Sequence, residues 1–568
     1  MSTTKLKANL LIILFVVAFI LSACSGSTSS NSSPVVSHNA YVLGTLPNGS
    51  TVYVNESVYY TESGDSTDGI LWISGGVPGQ SYTFSFTTNE SGPSVSSQLN
   101  PCTITSGTST LCQLTFSANS ASPGDYSVTV SYAKTLANNQ INQTSENVAL
   151  PNAITFIVRR SLAWSRQVGA NGGGVEGSDV SADLYGNIYI SGVTSVAFSG
   201  ESLIGNSDYF IAKYTESGAL LWTRLVGAES GNTVGYGVNS DIYGNAYIVG
   251  ATAASLSGES KTGFFDYFIA KYTESGDLLW TRQVGGQFGF TYALAVTTDT
   301  GGNAYITGYT NVAISGQPHT GSQNYFIAKY TESGHLVWTH EVGGISESAS
   351  TAAFGISGDE SGNIYITGNT TASLSNQPKV GDIDYFIAKY HSDGALIWTK
   401  EMGVTGGTTQ GEDISTDING NSYISGLTNV GLSGESQMGI YDYFIAKYTE
   451  NGTLLWTRQV GANNGEAYGL GISVDFNDNA YITGYTNVGL SGEKQIGNQD
   501  YFVAKYTKSG TLLWSRQVGT KGTNNRVEGQ NVSADLNGNA YVVGITSVSL
   551  SGQAESGPLD YFIAKYYP

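Results

Sequence analysis

Histidine and cysteine are scarce in this chain: five and three among 568 residues. His38, His319, His335, His340 and His391 take no repeating place and show no metal-ligand spacing, although three of them fall in or beside one repeat unit. No metal site and no cofactor is expected. Basic residues are outnumbered 24 to 44, for a net charge of -20. Such a field repels phosphates and argues against nucleic-acid binding. It leaves two readings open, a solvated acidic surface or attraction of cations and basic partners. Charged residues make up only 12% of the chain against 40% hydrophobic, which is a folded composition. Helix-forming Ala-Leu-Glu-Lys composition is missing. Glycine (73) and tyrosine (37) take its place and point to all-β structure. There is no nucleophile elbow, no phosphate-binding glycine loop and no acid pair standing apart from the repeats. A site assembled from loops is not excluded by that.

Long apolar runs are also missing. The longest, Leu10 to Leu21, follows Lys5 and Lys7 and is too short to span a bilayer comfortably. It reads as the core of a signal peptide covering residues 1–23. The run ends in Leu21-Ser22-Ala23-Cys24, which resembles the bacterial lipoprotein lipobox. That resemblance implies cleavage before Cys24 and lipidation of its thiol, hence a membrane anchor. Ser25 in place of Asp implies the outer membrane of a two-membrane cell envelope. Residues 24–39 are small and Ser-rich and are expected to form a flexible tether. About fourteen such residues reach at most roughly 45 Å.

Residues 40–160 alternate in short runs such as STVYVN, QSYTFSFTT and YSVTVSYA, separated by turn signals. This spacing predicts a β-sandwich. The run from Pro123 to Val130 resembles a strand of bacterial immunoglobulin-like domains, where a tyrosine such as Tyr126 begins the strand. Cys102 and Cys112 remain once Cys24 is set aside. An even pair in an exported chain reads as a disulfide, and the segment between them reads as one hairpin pinned by that bond.

The rest of the chain repeats. Seven tryptophans, Trp164, Trp222, Trp280, Trp338, Trp398, Trp456 and Trp514, lie at intervals of 58, 58, 58, 60, 58 and 58. An Asp-x-x-Gly-Asn-x-Tyr motif recurs seven times, ending between Tyr189 and Tyr541, with Asp478 replacing its Gly once. A Tyr-Phe-(Ile/Val)-Ala-Lys-Tyr motif recurs seven times, its Phe running from Phe210 to Phe562. Each unit holds four strand candidates, and four antiparallel strands repeated seven times predict a seven-bladed β-propeller over residues 161–568. The array begins with a Trp strand and ends with a Tyr-Phe strand. Pairing the strand at 162–169 with the last three would complete the seventh blade and hide its edges. The Gly-Asn-x-Tyr-(Ile/Val)-x-Gly-x-Thr, Tyr-Phe-Ile-Ala-Lys and trailing Val-Gly segments together resemble the SBBP family of β-propeller repeats. That resemblance implies the fold and an extracytoplasmic setting, and no particular reaction.

Length varies only between a Trp strand and the next unit's inner strand. That loop shares a face with the longer SLSGESKTGFFD-type loop, and this loop-rich face is the expected binding face. Its non-repeating side chains Phe264, Phe265, Phe288, Phe290, Tyr292, Tyr441 and Arg526 are the candidate contacts, with local packing the competing role. Asp-x-Asn-Gly-Asn reads as a hairpin turn and not as a calcium loop, because the terminal Glu is missing. The lysines of the Ala-Lys-Tyr motif are expected to pack between blades with their ammonium groups wet or paired with Asp. Three functions fit. The first is a non-enzymatic, monomeric, membrane-anchored envelope lipoprotein that binds or scaffolds a protein or glycan. The second is a polysaccharide-processing enzyme, and the third an outer-membrane assembly scaffold.

Overall fold

The computed structural model describes residues 41–46, 50–54, 58–62, 66–75, 81–88, 94–97, 102–105, 112–117, 124–134, 148–152, 154–159, 162–522 and 525–568. The signal peptide, Cys24 and the tether lie outside the described residues, as does the side chain of Tyr126. None of the described residues is helical. The chain divides into two compact units, residues 1–159 and 160–568.

The first unit holds two sheets. In one, Tyr41–Thr45, Ser50–Val54, Ser66–Gly75, Cys112–Ser117 and Ser94–Ser97 lie side by side. In the other the order is Val58–Glu62, Ile154–Arg159, Gly124–Lys134, Ser81–Thr88 and Cys102–Thr105. Leu43, Val52, Leu71 and Leu114 of the first sheet pack with Phe84, Ile104 and Val130 of the second in one buried cluster. The segment from Cys102 to Cys112 is not a hairpin. Cys102–Thr105 pairs with Ser81–Thr88, whereas Cys112–Ser117 pairs with Ser66–Gly75 in the opposite sheet. Gly and Ser composition between two strands does not decide which sheet the second strand joins. What decides is the shared core, into which Ile104 and Cys112 both bury.

The second unit is seven four-stranded sheets. In the first blade the strands a to d are Val175–Ala182, Ile188–Thr194, Asp208–Tyr214 and Leu220–Val226, in antiparallel order from the inside out. The seventh blade takes its d strand, Leu162–Val168, from the opposite end of the array, paired antiparallel with Asp560–Tyr566. Edge strands at the start and end of the array thereby cover each other.

Strand c explains the Tyr-Phe repeat. Its seven residues are almost all buried, as expected of a strand with a blade on either side. Tyr209 stacks on Phe268 of the next blade with ring centroids 4.7 Å apart, and its hydroxyl meets that of Tyr272 at 2.7 Å. The same pair of contacts recurs around the ring and closes it, with Phe210 against Tyr561 at 5.2 Å and Tyr214 against Tyr561 at 2.5 Å. Each stacked pair adds about 0.5–1.5 kcal/mol beyond burial, so the repeat is an interlocking device between blades. Strand d shows one wet face. Its tryptophan indole N–H donates to the next blade's Thr-Glu-Ser-Gly turn, as Trp164 does to the Glu216 carbonyl at 3.0 Å. Arg166 lies over the same indole at 5.3 Å and donates to Gly218 O in that turn. Gly218 has a φ of 79°, and a side chain there would run into Trp164.

Of the two expected states, wet or paired with Asp, the motif lysines of blades two, four, five and six take the paired one. Lys271 is 1% exposed, sits 4.9 Å from the ring centre of Tyr247, and pairs with Asp241 at 3.5 Å and Glu332 of the next blade at 3.3 Å. Asp241 also accepts the N–H groups of Tyr243 and Asn245. The Asp of each Asp-x-x-Gly-Asn turn is thus occupied by its own hairpin and, in most blades, by a buried lysine.

Candidate binding face

Alternate connections of an antiparallel blade emerge on the same face. The b–c and d–a loops share one face, and Asp-x-x-Gly-Asn and Thr-Glu-Ser-Gly turns occupy the other. On the loop face short parallel bridges tie a b–c loop to a neighbouring d–a loop, as between Phe265 and Phe290 or Tyr441 and Glu466. These bridges bring together side chains that are some 25 residues apart in sequence.

The largest resulting cluster joins blades two and three. Phe264 lies 6.4 Å from Phe288 and 5.4 Å from Phe290 between ring centres. Phe265 stacks on Phe290 at 6.1 Å and on Tyr292 at 5.5 Å. Tyr292 continues to Tyr309 at 5.1 Å and to Tyr236 at 6.4 Å. The result is one aromatic ladder from the outer loops to the central channel. Its outer end is open to solvent: Phe288 is 73% exposed and Phe264 51%.

Phe288 also carries strain. It adopts a φ of 63°. The matching d–a turn positions in other blades are Gly172, Ser230, Gly406 and Asn464, all with positive φ. Gly and Asn tolerate that conformation, whereas a bulky aromatic pays of order 1 kcal/mol or more. Burial does not compensate, because the ring faces water.

Tyr441 and Arg526 do not join this ladder. Tyr441 stacks on Tyr468 at 5.6 Å, and Tyr468 on Tyr485 at 4.8 Å. These three occupy the same repeat positions, three blades further round, as Phe265, Tyr292 and Tyr309. Burial pushes the Tyr468 and Tyr485 hydroxyls up to about 12. Arg526 is locked to Glu528 by two contacts of 2.6 and 2.9 Å, and this raises its already high pKa.

The channel between the clusters has a volume of about 560 Å³. Every inner strand carries a β-bulge near its middle, as at Gly177/Asp179 and Gly411/Asp413. A bulge turns one extra side chain out of the ladder. The bulge residues are Ser178, Tyr236, Leu294, Phe354, Glu412, Leu470 and Gln530, all lining the channel. Blades two to four therefore give the mouth an apolar side, and blades five, seven and one a polar side. Below the bulges stand Asp179 and Asp413. Asp179 accepts from the N–H of Val180 at 2.7 Å, that of Val238 in the next blade at 2.8 Å, and Asn531 at 2.6 Å. Asp413 accepts from Ile414 and Ile472 N–H at 2.8 and 3.0 Å. Burial lifts Asp179 to about 7, against these hydrogen bonds. Burial and then, opposing the Ile472 hydrogen bond, the Asp179 charge lift Asp413 to about 8. Glu412 rises to about 7 through burial.

Sequence reasoning named the outer half of the ladder and missed the bulge ring. The signal lay in comparing the repeats: a position that varies from Ser to Phe and follows a Gly or Ala in every inner strand. Among the described residues no group of three or more His, Cys, Asp or Glu is placed to hold a metal ion.

The SBBP β-propeller repeat matches seven segments, residues 163–198, 221–256, 279–314, 337–374, 397–432, 455–490 and 513–550. Each runs from a d strand through the following a and b strands. Among curated proteins, the chain is similar to the regulatory protein FlaEY of Caulobacter vibrioides, 25% identical over 360 residues covering 55% of this chain and 36% of that protein. It is also 24% identical over 324 residues to an uncharacterized WD repeat-containing protein of Acanthamoeba polyphaga mimivirus, covering 42% of this chain and 23% of that protein. The chain thus spans well under half the length of these relatives. Among solved structures, a protein of unknown function from Bacteroides caccae matches with TM-score 0.29 at 12% identity, over 60% of this chain and 94% of that one. The exotype rhamnogalacturonan lyase YesX matches with TM-score 0.28 at 10% identity, over 92% and 90%. At these TM-scores neither likeness bears on function.

Proposed function

We propose that this chain, which belongs to the SBBP β-propeller repeat family, is a non-enzymatic binding platform of the bacterial cell envelope. In this reading Cys24 carries the lipid anchor, and a Ser-rich tether joins it to an immunoglobulin-like sandwich and the propeller. A Cys102–Cys112 disulfide would tie the two sheets of the sandwich together. The loop face of the propeller takes a protein or glycan partner. The observation that carries this reading is Phe288, strained, solvent-facing and continuous with an aromatic ladder. A residue that costs folding energy and buries little is accounted for by a contact outside the fold. Aromatic anchors leading toward a depression are the usual core of a binding patch.

Two measurements test it. Mass spectrometry of the mature N-terminus should find a diacylglyceryl group on Cys24; an unmodified thiol would remove the anchor. Protease treatment of intact cells, with a lysed control, reports the side of the membrane. Digestion on intact cells favours capture of an external ligand, and protection until lysis favours an assembly scaffold.

A second reading rests on the channel. Asp179, Glu412 and Asp413 sit near neutrality in a cavity large enough for a sugar, and carboxyl groups of that kind can act as general acids. Against it, Asp179 and Asp413 are engaged in pinning neighbouring blades. Turnover of a glycan panel that disappears in Glu412→Gln would favour the enzyme.

A further inference from the structure

The opposite face carries an apolar surface of its own. The residue after Asp in each Asp-x-x-Gly-Asn turn stands at a hairpin tip, where solvent makes polar residues the default. Thr300 and Glu360 fill it in blades three and four. The other five blades, consecutive around the ring, place Ile418, Phe476, Leu536, Leu184 and Ile242 there, each 37–61% exposed. Four of them, all but Ile242, surround a dimple of about 170 Å³ at the channel's end. The hairpin itself is held by its Asp and Asn, so these tips do no folding work that Thr300 and Glu360 do not also do. Contiguous apolar exposure of this kind marks an interaction surface.

The charge around the crescent selects the occupant. On the same face the c–d turns of the crescent's own blades expose three acids, Glu450, Glu216 and Glu274, and one base, Lys508 of blade six, with Glu216 and Glu274 each also reached by a buried lysine, Lys565 and Lys213. A second copy of the chain would bring acid against acid, and an anionic bilayer would do the same. We propose that this turn face docks a protein segment with an apolar anchor for the dimple and basic residues for the acidic rim. This surface is separate from the loop face and does not depend on the reading of it.

The test uses the purified full-length chain and a short labelled peptide of Leu and Lys arranged as an amphipathic helix. A peptide with Glu in place of Lys, phosphatidylcholine vesicles and sedimentation of the protein alone are measured beside it. Expected is binding of the Leu/Lys peptide that weakens with salt, is absent for Leu/Glu, and falls about thirtyfold in Phe476→Thr and Leu536→Thr. Phe288→Ala on the other face should leave it unchanged. Both turn variants put a residue already used at this position into an exposed tip, and a melting midpoint equal to the parent's verifies their fold. Equal binding in the turn variants, equal binding of the Leu/Glu peptide, or self-association or vesicle binding that these variants abolish would overturn the proposal.

Discussion

Glu401 offers the sharpest quantitative test of the packing. At its place in strand d four blades have glutamine. Gln283 accepts the Leu256 N–H at 3.0 Å and donates its amide to Ala254 O at 3.1 Å and Asp266 at 2.9 Å. Gln167, Gln459 and Gln517 do the same. Blade three exchanges the partners and keeps the bond, with Asn324 donating to Glu341 at 2.9 Å. Blade four puts Glu401 against Asp384, two acids in one buried bond. Glu401 Oε2 accepts the Leu374 N–H at 3.0 Å, but Oε1, where glutamine has its donor, has no partner unless it carries a proton. Lys379, whose ammonium donates to Gly381 O, is the nearby cation. Burial, and then the Asp384 charge working against the Leu374 hydrogen bond, raise Glu401 from 4.5 to about 7. Between these values the folded chain holds a proton that the unfolded chain has lost, so stability falls as pH rises across that window. The shift corresponds to about 3 kcal/mol, and the water that reaches a half-buried side chain brings the expected effect to about 1–3 kcal/mol. Glu401→Gln should therefore leave stability nearly unchanged at pH 4.5 and raise it by that amount at pH 8. Denaturant midpoints at the two pH values, followed by tryptophan fluorescence, measure the difference. An equal effect at both pH values, or destabilisation at pH 8, would refute the reasoning.

Three further outcomes are expected. Tyr267→Phe or Tyr330→Phe should each cost about 1–3 kcal/mol by stranding the other buried hydroxyl of a 2.8 Å pair, while the double change costs less than the two together; strict additivity in a double-mutant cycle would count against the pair. Tyr272, Tyr330, Tyr390 and Tyr448 are raised to about 12 by burial. The unfolded chain loses those protons near pH 10, so stability is full below that and drops as pH climbs toward 12, and a flat melting midpoint from pH 9 to 12 would contradict this. Phe288→Gly should stabilise the fold by about 1 kcal/mol by relieving its left-handed backbone while weakening partner binding; a loss of stability would mean the ring packs more than it contacts.

Much of the fold was legible because the repeat states it seven times. Trp164 and its six counterparts, with the Tyr-Phe motif, mark strands whose spacing leaves little freedom in their pairing. What was not legible depends on contacts between blades. Nothing local tells that Tyr209 reaches Tyr272 or that Lys271 is dry, since both are settled by a residue of the next blade, 63 and 61 positions further along the chain. The Cys102 to Cys112 segment failed as a hairpin because Gly and Ser composition does not decide which sheet the second strand joins. On the loop face, Phe264, Phe265, Phe288, Phe290 and Tyr292 stood out by breaking the repeat, and they meet. Tyr441 broke it too but belongs to a second cluster, since parallel loop bridges join neighbours only. The bulge residues Tyr236, Phe354 and Glu412 do not show within one strand, because period-two alternation gives no sign of an extra residue; only setting the seven inner strands side by side exposes them.

The central claim is that the loop face makes the functional contact. A photo-crosslinking amino acid placed at Phe288 in cells, with the exposed outer-strand position Leu221 as control, tests it most directly. The account predicts a discrete adduct from position 288 and none from 221. No adduct at 288, or the same adducts from both positions, would contradict it.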